Sequence, residues 1–569
     1  MFIPIAKLYK NFVISSFIQK IIYLHFNIKS FNIINMENSK SNRRSFIKAS
    51  SLGTLGLLTV PTILTGCTRN DRLNATASVQ DVKGLVFASP ESQGVPSGAI
   101  LEMLDFLEEK RVCMHSFILM RHGAVVAEGY WPPFHKDRQQ RMYSVSKSFT
   151  SVAIGLMITE GKLKLDDKVA DFFPEELPQN PHPFILQATV RDLLLMSTFN
   201  ARSTGIRPGQ TSVWAFFNTG EPLRPPGAIF SYDTAGTNTL AAIIEKQTGM
   251  SFIEYMRPKI LDPIGISRDI YCIKNPDGRS WSGSGVLCTT RDLARFALLC
   301  MNRGAYEGNQ LVSKEYMQAA TSRQIENAVG RSESAMRYGY GYQFWCLSDG
   351  GFAGYGMGGQ FMFCMPKHDV ILCTTADVQL DDDGLGDIQD AYMNLLKRLG
   401  NKMADDTAAQ KKLSTRLESL AIQLPEGNLN STAAAQYNDK VFKMEANPMG
   451  LSNVRLSFKA NEAVFNYVNE TGAFSIRIGL GHYILQSFPE PYSGKVAGVL
   501  DKYYDTIAGG GWVDENVFKC TVKAVDTYLG TLRMQFVFRD DMLCVQMAKV
   551  AENFFDRYQG FAWGNQQIE

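Results

Sequence analysis

Hydrophobic and polar positions follow two different spacings along the chain. Apolar residues recur at helical spacing after Ser97, over Phe149–Glu160, and in Arg191–Met196 and Asn238–Lys246. Two apolar runs enclose a short polar turn in "MHSFILMRHGAVVAEGY" (114–130) and again in "GQFMFCMPKHDVILCTT" (359–375). The first spacing predicts helices and the second predicts β-hairpins.

The two hairpins lie at opposite ends of a mostly helical stretch. We therefore expect one antiparallel sheet, flanked by helices, that both ends of an α+β domain over 90–400 help to build. Beyond this domain a charged helical linker is predicted over 401–430. Short strands separated by turn residues follow over 431–569, and this spacing is typical of a small antiparallel β-barrel or sandwich.

The N-terminal residues predict where the protein is located rather than how it folds. From Met36, a polar basic lead with Arg43 and Arg44 precedes a moderately apolar run that ends in "LTGC" at Cys67. We expect an export signal with a lipoprotein box over 36–67. A lipid on Cys67 would attach the exported protein to a membrane, facing the periplasm or the outer surface. Residues 1–35 are predicted to be an upstream extension and 68–89 a polar linker.

Charge and cysteine content exclude some classes of function. The chain has 58 Lys and Arg residues against 56 acidic residues, a net charge of +2, which gives no basic footprint for nucleic acid. It contains no C-x-x-C pair and no His–Cys cluster. We therefore expect neither a metal nor another cofactor.

The stretch "RMYSVSKSFTS" (141–151) holds four serines around Lys147. Residues three apart on a helix are neighbours, so Lys147 faces Ser144 rather than Ser146 or Ser148. Ser144 is expected in the first turn of a helix, where unpaired backbone amides favour an oxyanion. Burial of Lys147 would lower its pKa and let it accept a proton. We predict Ser144 as a nucleophile and Lys147 as its base.

The Ser-x-x-Lys spacing is weak on its own, because it arises about once or twice by chance in a chain of this length. Ser45 and Lys48 match it inside the predicted export signal. Two distant features support the later match. Tyr232 lies between an apolar strand end and a helix, and Gly358 and Gly359 stand at the entry to a buried strand.

The order of these motifs resembles the serine β-lactamase-like hydrolases. That group contains class C β-lactamases, D-alanyl-D-alanine carboxypeptidases, family VIII esterases and 6-aminohexanoate-dimer hydrolases. The resemblance runs through "RMYSVSKSFTSVAIGL", "VRDLLLMST", "PPGAIFSYDT" and "GMGGQFMFCMPKHDVILCTT", and it covers Pro90 to Gly400. It implies a β-lactamase/transpeptidase-like fold for this part of the chain.

The resemblance also implies roles for individual residues. Ser144 would form the acyl-enzyme, Lys147 would be its base, and Tyr232 would carry a proton to the leaving group. The oxyanion would be held by the amide of Ser144 and by an amide just after Gly358 and Gly359, which we assign to Gln360.

Two motifs depart from the family pattern. Tyr232-Asp233-Thr234 stands where Tyr-x-Asn is common, and Met357-Gly358-Gly359 stands where Lys-Thr-Gly or His-Thr-Gly is common. Asp233, Thr234 and Met357 complete the predicted substrate-binding set. Without a cation at Met357, a β-lactam or peptide carboxylate loses its usual partner. The glycine-rich run is more similar to the esterase and 6-aminohexanoate-dimer hydrolase branches.

These features favour a serine hydrolase for a carboxylic ester or small amide. One alternative is acyl transfer to an alcohol such as a sterol or polyketide hydroxyl. Others are a β-lactamase or D-alanyl peptidase, and a non-catalytic binding protein. Trp214, Trp281 and Trp345 flank the motifs, and they either line an acyl pocket or pack in the core.

Overall fold

The secondary structure follows the hydrophobic pattern over most of the chain. The computed structural model describes residues 85–200, 209–218, 220–327, 336–379, 383–492, 502–551 and 555–567. The predicted extension, the export signal with Cys67 and most of the linker over 68–89 lie outside these residues. By its contacts, Val79–Glu569 form one compact unit.

The two predicted hairpins meet in one sheet. The strands of this half of the chain are β1 (Val86–Phe87), β2 (Met114–Arg121), β3 (Ala124–Tyr130), β4 (Gln140–Arg141), β5 (Tyr271–Cys272), β6 (Val286–Cys288), β7 (Ala305–Tyr306), β8 (Asn309–Gln310), β9 (Trp345–Cys346), β10 (Phe352–Gly356), β11 (Gln360–Met365) and β12 (Val370–Ala376). Seven of them form a sheet in the order β1-β3-β2-β12-β11-β10-β9. Strand β2 pairs antiparallel with both β3 and β12. The prediction that both ends of the domain build the sheet is confirmed.

Helices cover this sheet. They are α1 (Ser97–Glu109), α2 (Ser146–Thr159), α3 (Val169–Phe172), α4 (Pro183–Gln187), α5 (Val190–Leu194), α6 (Ser212–Phe217), α7 (Thr234–Thr248), α8 (Phe252–Met256), α9 (Thr290–Met301), α10 (Lys314–Ala320) and α11 (Gly384–Lys397). Short 3-10 turns lie at Glu91–Gln93, Tyr143–Val145, Pro174–Glu176 and Ser348–Gly350, and a π-helical turn lies at Arg257–Leu261.

Strand β2 shows why the sheet needs helices on both faces. Successive residues of a strand point to opposite faces. Ile118 and Met120 pack in the core that contains α2, whereas Phe117 and Leu119 pack in the core that contains α1. Every residue of β2 except Arg121 is buried. The continuous apolar run therefore indicates a strand that is buried on both faces, not a strand with one face exposed to solvent.

Helix α2 is the central helix of the domain. It begins at Ser146, three residues before the predicted helical pattern, and its residues 146–157 are all buried. Five of these buried residues are polar: Ser146, Lys147, Ser148, Thr150 and Ser151. Buried polar groups require hydrogen-bond partners. The polar residues of this helix therefore hold the neighbouring segments that supply those partners.

The C-terminal strands form a closed barrel rather than a sandwich. They are β13 (Val441–Met444), β14 (Asn453–Phe458), β15 (Glu462–Asn469), β16 (Gly472–Leu480), β17 (Ile484–Ser487), β18 (Asp505–Asp514), β19 (Val517–Val525), β20 (Leu529–Arg539), β21 (Met542–Ala551) and β22 (Gly560–Gln566). The sheet runs in the order β16-β15-β14-β13-β22-β21-β20-β19-β18-β17. A parallel pairing of β16 with β18 closes nine of these strands into a ring. Of the two predicted alternatives, a barrel or a sandwich, the barrel is confirmed.

Along the chain, two further helices, α12 (Thr407–Glu418) and α13 (Thr432–Tyr437), follow the strands of the sheet and precede those of the barrel. Helix α12 lies inside the predicted helical linker and packs against α1, where Leu413 is buried and Arg416 pairs with Asp105 at 3.5 Å. The domain boundaries at 400 and 430 stay a prediction. Within the described ranges, no helix combines the length and the apolar character needed to cross a membrane.

Candidate active site

Ser144 and Lys147 lie at the point where the chain enters α2. Ser144 occupies the 3-10 turn Tyr143–Val145, immediately before the α-helix rather than in its first turn. Lys147 is the second residue of α2, and its Nζ donates to Ser144 Oγ at 3.0 Å and to the carbonyl of Gly283 at 2.6 Å. The i, i+3 spacing therefore brings the two side chains within hydrogen-bonding distance.

The other serines of this stretch have bonds to the core. Ser146 Oγ accepts from the amide of Val286 at 3.0 Å, and Ser148 Oγ donates to the carbonyl of Gln343 at 3.0 Å. Ser151 Oγ lies 3.0 Å from Tyr316 Oη. These three are buried, whereas Ser144 is half-buried. Ser144 is thus the serine of the stretch that a substrate can reach.

The electrostatic environment of Lys147 suits a base. Burial lowers the pKa of Lys147 to about 7, because the charged ammonium loses its hydration. The carboxylate of Asp233 acts in the opposite direction, and the guanidinium of Arg141 lowers the pKa further. At neutral pH a large fraction of Lys147 is therefore the free amine, which can accept the proton of Ser144.

Tyr232 and Asp233 reach this pair from the start of α7. The ring centroid of Tyr232 lies 4.9 Å from Lys147 Nζ, and the ring stacks on Trp345 at 5.6 Å. Asp233 is fully buried; its Oδ1 caps α7 by accepting from the amide of Ala235 at 2.9 Å, and its Oδ2 accepts from Thr198 Oγ1 at 3.1 Å. Asp233 therefore acts on the helix start and on Lys147.

Thr234 contributes indirectly to the position of Lys147. It is half-buried, and a Cβ placed on Gly283 would overlap its Cγ2. Thr234 thus packs directly on Gly283, whose carbonyl accepts the hydrogen bond from Lys147. This contact explains why a residue with no side chain is required at position 283.

The glycine turn between β10 and β11 lies beside the nucleophile. Gly358 and Gly359 have φ values of 80° and 98°, which favour glycine. A Cβ placed on Gly356 would overlap the carbonyl of Met142, so β10 packs directly on the chain before Ser144. Met357, between these glycines, is half-buried.

Gln360 anchors the glycine turn. It is buried, and its Nε2 donates to the carbonyls of Met357 at 2.9 Å and Ala376 at 2.7 Å. In the strand register, Gln360 faces Gly356. The side chain of Gln360 therefore fixes the turn to β12, and the assignment of its amide to the oxyanion hole stays a prediction.

Comparison with known proteins places this geometry in a family. Residues 104–385 match the model of the family described as Beta-lactamase. This part of the chain belongs to the serine β-lactamase-like hydrolases. Over 313 residues it is 28% identical to 6-aminohexanoate-dimer hydrolase from Paenarthrobacter ureafaciens, covering 50% of this chain and 78% of that protein.

Two further comparisons are more distant. Identity is 22% over 209 residues with a beta-lactamase from Yersinia enterocolitica, covering 32% of this chain and 52% of that protein. A solved structure, the octameric penicillin-binding protein homologue from Pyrococcus abyssi, aligns with a TM-score of 0.42 and 16% identity. That alignment covers 82% of this chain and 99% of the other.

Arg141 belongs to this β-lactamase-like site although the sequence motifs did not predict it. Arg141 is buried, and it donates to the carbonyl of Ser284 at 2.8 Å and to Ser284 Oγ at 3.0 Å. Its guanidinium lies 4.2 Å from the ring centroid of Tyr143 and 4.4 Å from that of Trp281. Arg141 is adjacent to the quoted motif, but no periodicity marks it, because its partners come from distant segments.

Trp345 packs on Tyr232 and Trp281 packs on Arg141, so both border the site. Trp214 is 38% exposed and fits neither of the predicted alternatives, a pocket wall or a core position. In the parts of the chain that the structure describes, no three His, Cys, Asp or Glu side chains are grouped to hold a metal ion.

Proposed function

We propose that this β-lactamase-like hydrolase cleaves a carboxylic ester or small amide through an acyl-enzyme on Ser144. The observation that carries the proposal is the 3.0 Å hydrogen bond between Lys147 Nζ and Ser144 Oγ, made by a lysine whose pKa is about 7. A serine hydroxyl needs such a base to become a nucleophile at neutral pH.

In the first step, Ser144 Oγ attacks the substrate carbonyl and its proton passes to Lys147 Nζ. Backbone amides of Ser144 and of the glycine turn 356–360 hold the oxyanion. As the tetrahedral intermediate collapses, the hydroxyl of Tyr232 gives its proton to the leaving alkoxide or amine, and Tyr232 regains a proton from Lys147. Water then attacks the acyl-enzyme in the same way and releases the acid.

The surroundings of the site favour a neutral substrate. Met357 offers no positive charge to a carboxylate, and the aromatic pair Tyr232–Trp345 provides an apolar wall. Poor turnover of penicillins relative to simple esters is therefore expected. Hydrolysis and acyl transfer are separated by product analysis with an added alcohol, since a strict hydrolase yields only free acid at every alcohol concentration.

The direct test is labelling by a fluorophosphonate probe, read by intact mass on wild type and on Ser144→Ala. Wild type should gain one probe adduct and Ser144→Ala should gain none. Ser146→Ala and Ser148→Ala, in the first turn of the helix that follows Ser144, are matched controls and should label like wild type. An unmodified wild type, or equal labelling of Ser144→Ala, would show that Ser144 is not the nucleophile.

We propose in addition that the protein is exported and anchored by a lipid on Cys67. The twin arginines and the "LTGC" end of the signal support this, although they lie outside the described residues. Metabolic labelling with a fatty-acid analogue should mark wild type and not Cys67→Ser. A cytosolic, unlabelled wild type would contradict the proposal.

A further inference from the structure

The turn between barrel strands β19 and β20 lies against the segment that carries Ser144. The amide of Leu529 donates to Tyr143 Oη at 2.8 Å, in a buried hydrogen bond across 386 residues. A Cβ placed on Gly358 would overlap Leu529 Cδ1, so the leucine side chain covers the glycine turn. One barrel residue thus contacts both the segment before Ser144 and the turn beside it.

Tyr143 needs such support because of its backbone. Its φ is 46°, a left-handed conformation that is uncommon for a bulky residue and is held only by surrounding contacts. The phenol is fixed at its oxygen by Leu529 and on its face by Arg141, 4.2 Å away. Because Tyr143 directly precedes Ser144, its backbone conformation sets the direction of the nucleophile.

Arg141 is held by the same barrel turn. A third ring, that of Tyr528, lies 4.9 Å from its guanidinium, so the barrel completes an enclosure begun by Tyr143 and Trp281. The turn itself is braced by Asp526, whose carboxylate accepts from the amide of Asp505 at 3.1 Å and from Thr527 Oγ1 at 3.0 Å. The ring of Tyr528 is therefore held in place from within the barrel.

We propose that the barrel turn Asp526–Leu529 is a positioning element of the active site. Leu529 holds Tyr143 and thereby Ser144, and Tyr528 holds Arg141 near Lys147. This inference rests on the proposed function, because it assigns the turn to the reaction at Ser144. The barrel is then required for acylation and does more than stabilise the domain before it.

Because of the charges around Lys147, the proposal predicts a change in the pH dependence of acylation. Asp233 raises the pKa of Lys147 and Arg141 lowers it, while the phenol of Tyr232 faces the same amine. If the Tyr528 ring is removed, Arg141 is released from its enclosure and its effect on Lys147 weakens. The midpoint of the acylation profile should then move to higher pH.

The test uses the full chain and the fluorophosphonate probe, with labelling rates measured from about pH 5 to pH 9. Tyr528→Leu and Tyr143→Phe should each slow labelling at least about tenfold, and Tyr528→Leu should also raise the midpoint. Tyr528→Phe keeps the ring and should retain the wild-type rate and midpoint. Tyr437→Leu removes another buried tyrosine, the last residue of α13, which stacks on Phe538 of the barrel and is 6% exposed against 3% for Tyr528; it should change neither.

Hydrogen exchange separates this proposal from the proposed function. In Tyr528→Leu, amide exchange should become faster in the segment 141–147, whereas Tyr437→Leu should leave that segment protected. If the probe does not label wild type but this exchange difference appears, the acyl-enzyme proposal is wrong, whereas the proposal that the barrel turn positions the segment 141–147 is supported. If wild type labels but neither rate, midpoint nor exchange responds to Tyr528→Leu, the positioning is wrong. A rate loss in Tyr437→Leu equal to that in Tyr528→Leu would also overturn it.

Discussion

Among the described residues, Lys147 is buried and Lys523 is half-buried, and their pKa values move in opposite directions. Burial lowers the pKa of Lys147 to about 7, with Asp233 opposing the shift and Arg141 adding to it. Burial also acts to lower the pKa of Lys523, but Cys113, Asp377 and Tyr483 together hold it above its usual value. Loss of hydration therefore makes a lysine a base only where acidic neighbours do not outweigh it.

The surroundings of Lys523 differ accordingly. It lies on β19 and lines a cavity of about 410 Å³ with Arg111, Asp377 and Tyr483. Cys113, Asp377 and Tyr483 all favour its charged form. Lys523 thus serves as a structural cation, whereas Lys147 is placed to exchange a proton.

The largest expected difference between the two lysines is in acylation. Lys147→Ala should slow fluorophosphonate labelling by about a thousandfold or more, because Ser144 loses its base. Lys523→Ala should label within about threefold of wild type. Equal losses in both variants would show that Lys147 has no special role.

The next largest difference between the two lysines is in stability: replacing Lys147 should raise the free energy of unfolding, and replacing Lys523 should lower it. The usual pKa of Lys147 is 10.5 and its folded pKa is about 7, so the unfolded chain binds the extra proton between these values and stability rises with pH across that window. At pH 7 the native state is destabilised by about 4 kcal/mol through this residue. Lys147→Met should therefore raise the free energy of unfolding at pH 7 by roughly 1–3 kcal/mol, after its lost hydrogen bonds are subtracted.

For Lys523 the sign is reversed. Lys523→Met leaves Asp377 without its cation and should lower the free energy of unfolding at pH 7 by about 1–2 kcal/mol. Urea unfolding at pH 7 and at about pH 10.5 measures both variants, and the gain in Lys147→Met should vanish at the higher pH. A Lys147→Met variant less stable than wild type at pH 7 would contradict the pKa assigned to Lys147.

A smaller effect is expected when the carboxylate beside Lys147 is neutralised. Acylation of wild type should rise with pH through about 7, because only neutral Lys147 accepts a proton. Asp233→Asn can still cap α7 but no longer favours the ammonium, so the midpoint should fall by about 0.5–1 pH unit. Asp377→Asn, the matched change beside Lys523, should leave the midpoint in place.

The smallest effect is expected at Cys113, a neighbour of Lys523. Cys113→Ala removes one of the acidic groups that raise the pKa of Lys523, while Asp377 remains. The free energy of unfolding at pH 7 should change by less than about 1 kcal/mol, and labelling of Ser144 should be unchanged. A loss as large as that in Lys523→Met would mean that the thiol, not the carboxylate, is the main partner of this lysine.

Local spacing predicted Ser144 and Lys147 because their contact depends only on helix geometry. The shared sheet of the two hairpins was also predicted, because an apolar hairpin stands at each end of a mostly helical stretch. Arg141, Tyr143 and Leu529 could not be found in this way. Their contacts depend on how the barrel packs against the first domain, which no periodicity within either segment encodes.

Strand β18 shows a second kind of failure. Its run Gly509-Gly510-Gly511 is typical of a loop, and the sequence pattern does not predict a strand there. In the barrel a Cβ on Gly510 would lie 2.6 Å from the carbonyl of Lys519, and one on Gly511 would lie 3.0 Å from Gly427. Glycine is used there because neighbouring backbones approach closely, a reason that becomes visible only once the strands are paired.

The pairing of β2 with β12 has a consequence for the order in which the protein becomes active. During synthesis, Ser144 and Lys147 leave the ribosome early, but the strand that completes the sheet beside them ends only at Ala376. Contacts of such long sequence separation form late and slowly. A nascent or truncated chain that ends before β12 therefore carries Ser144 and Lys147 without the buried surroundings that lower the pKa of Lys147. On the proposed mechanism, Ser144 stays inactive until most of the polypeptide has been made.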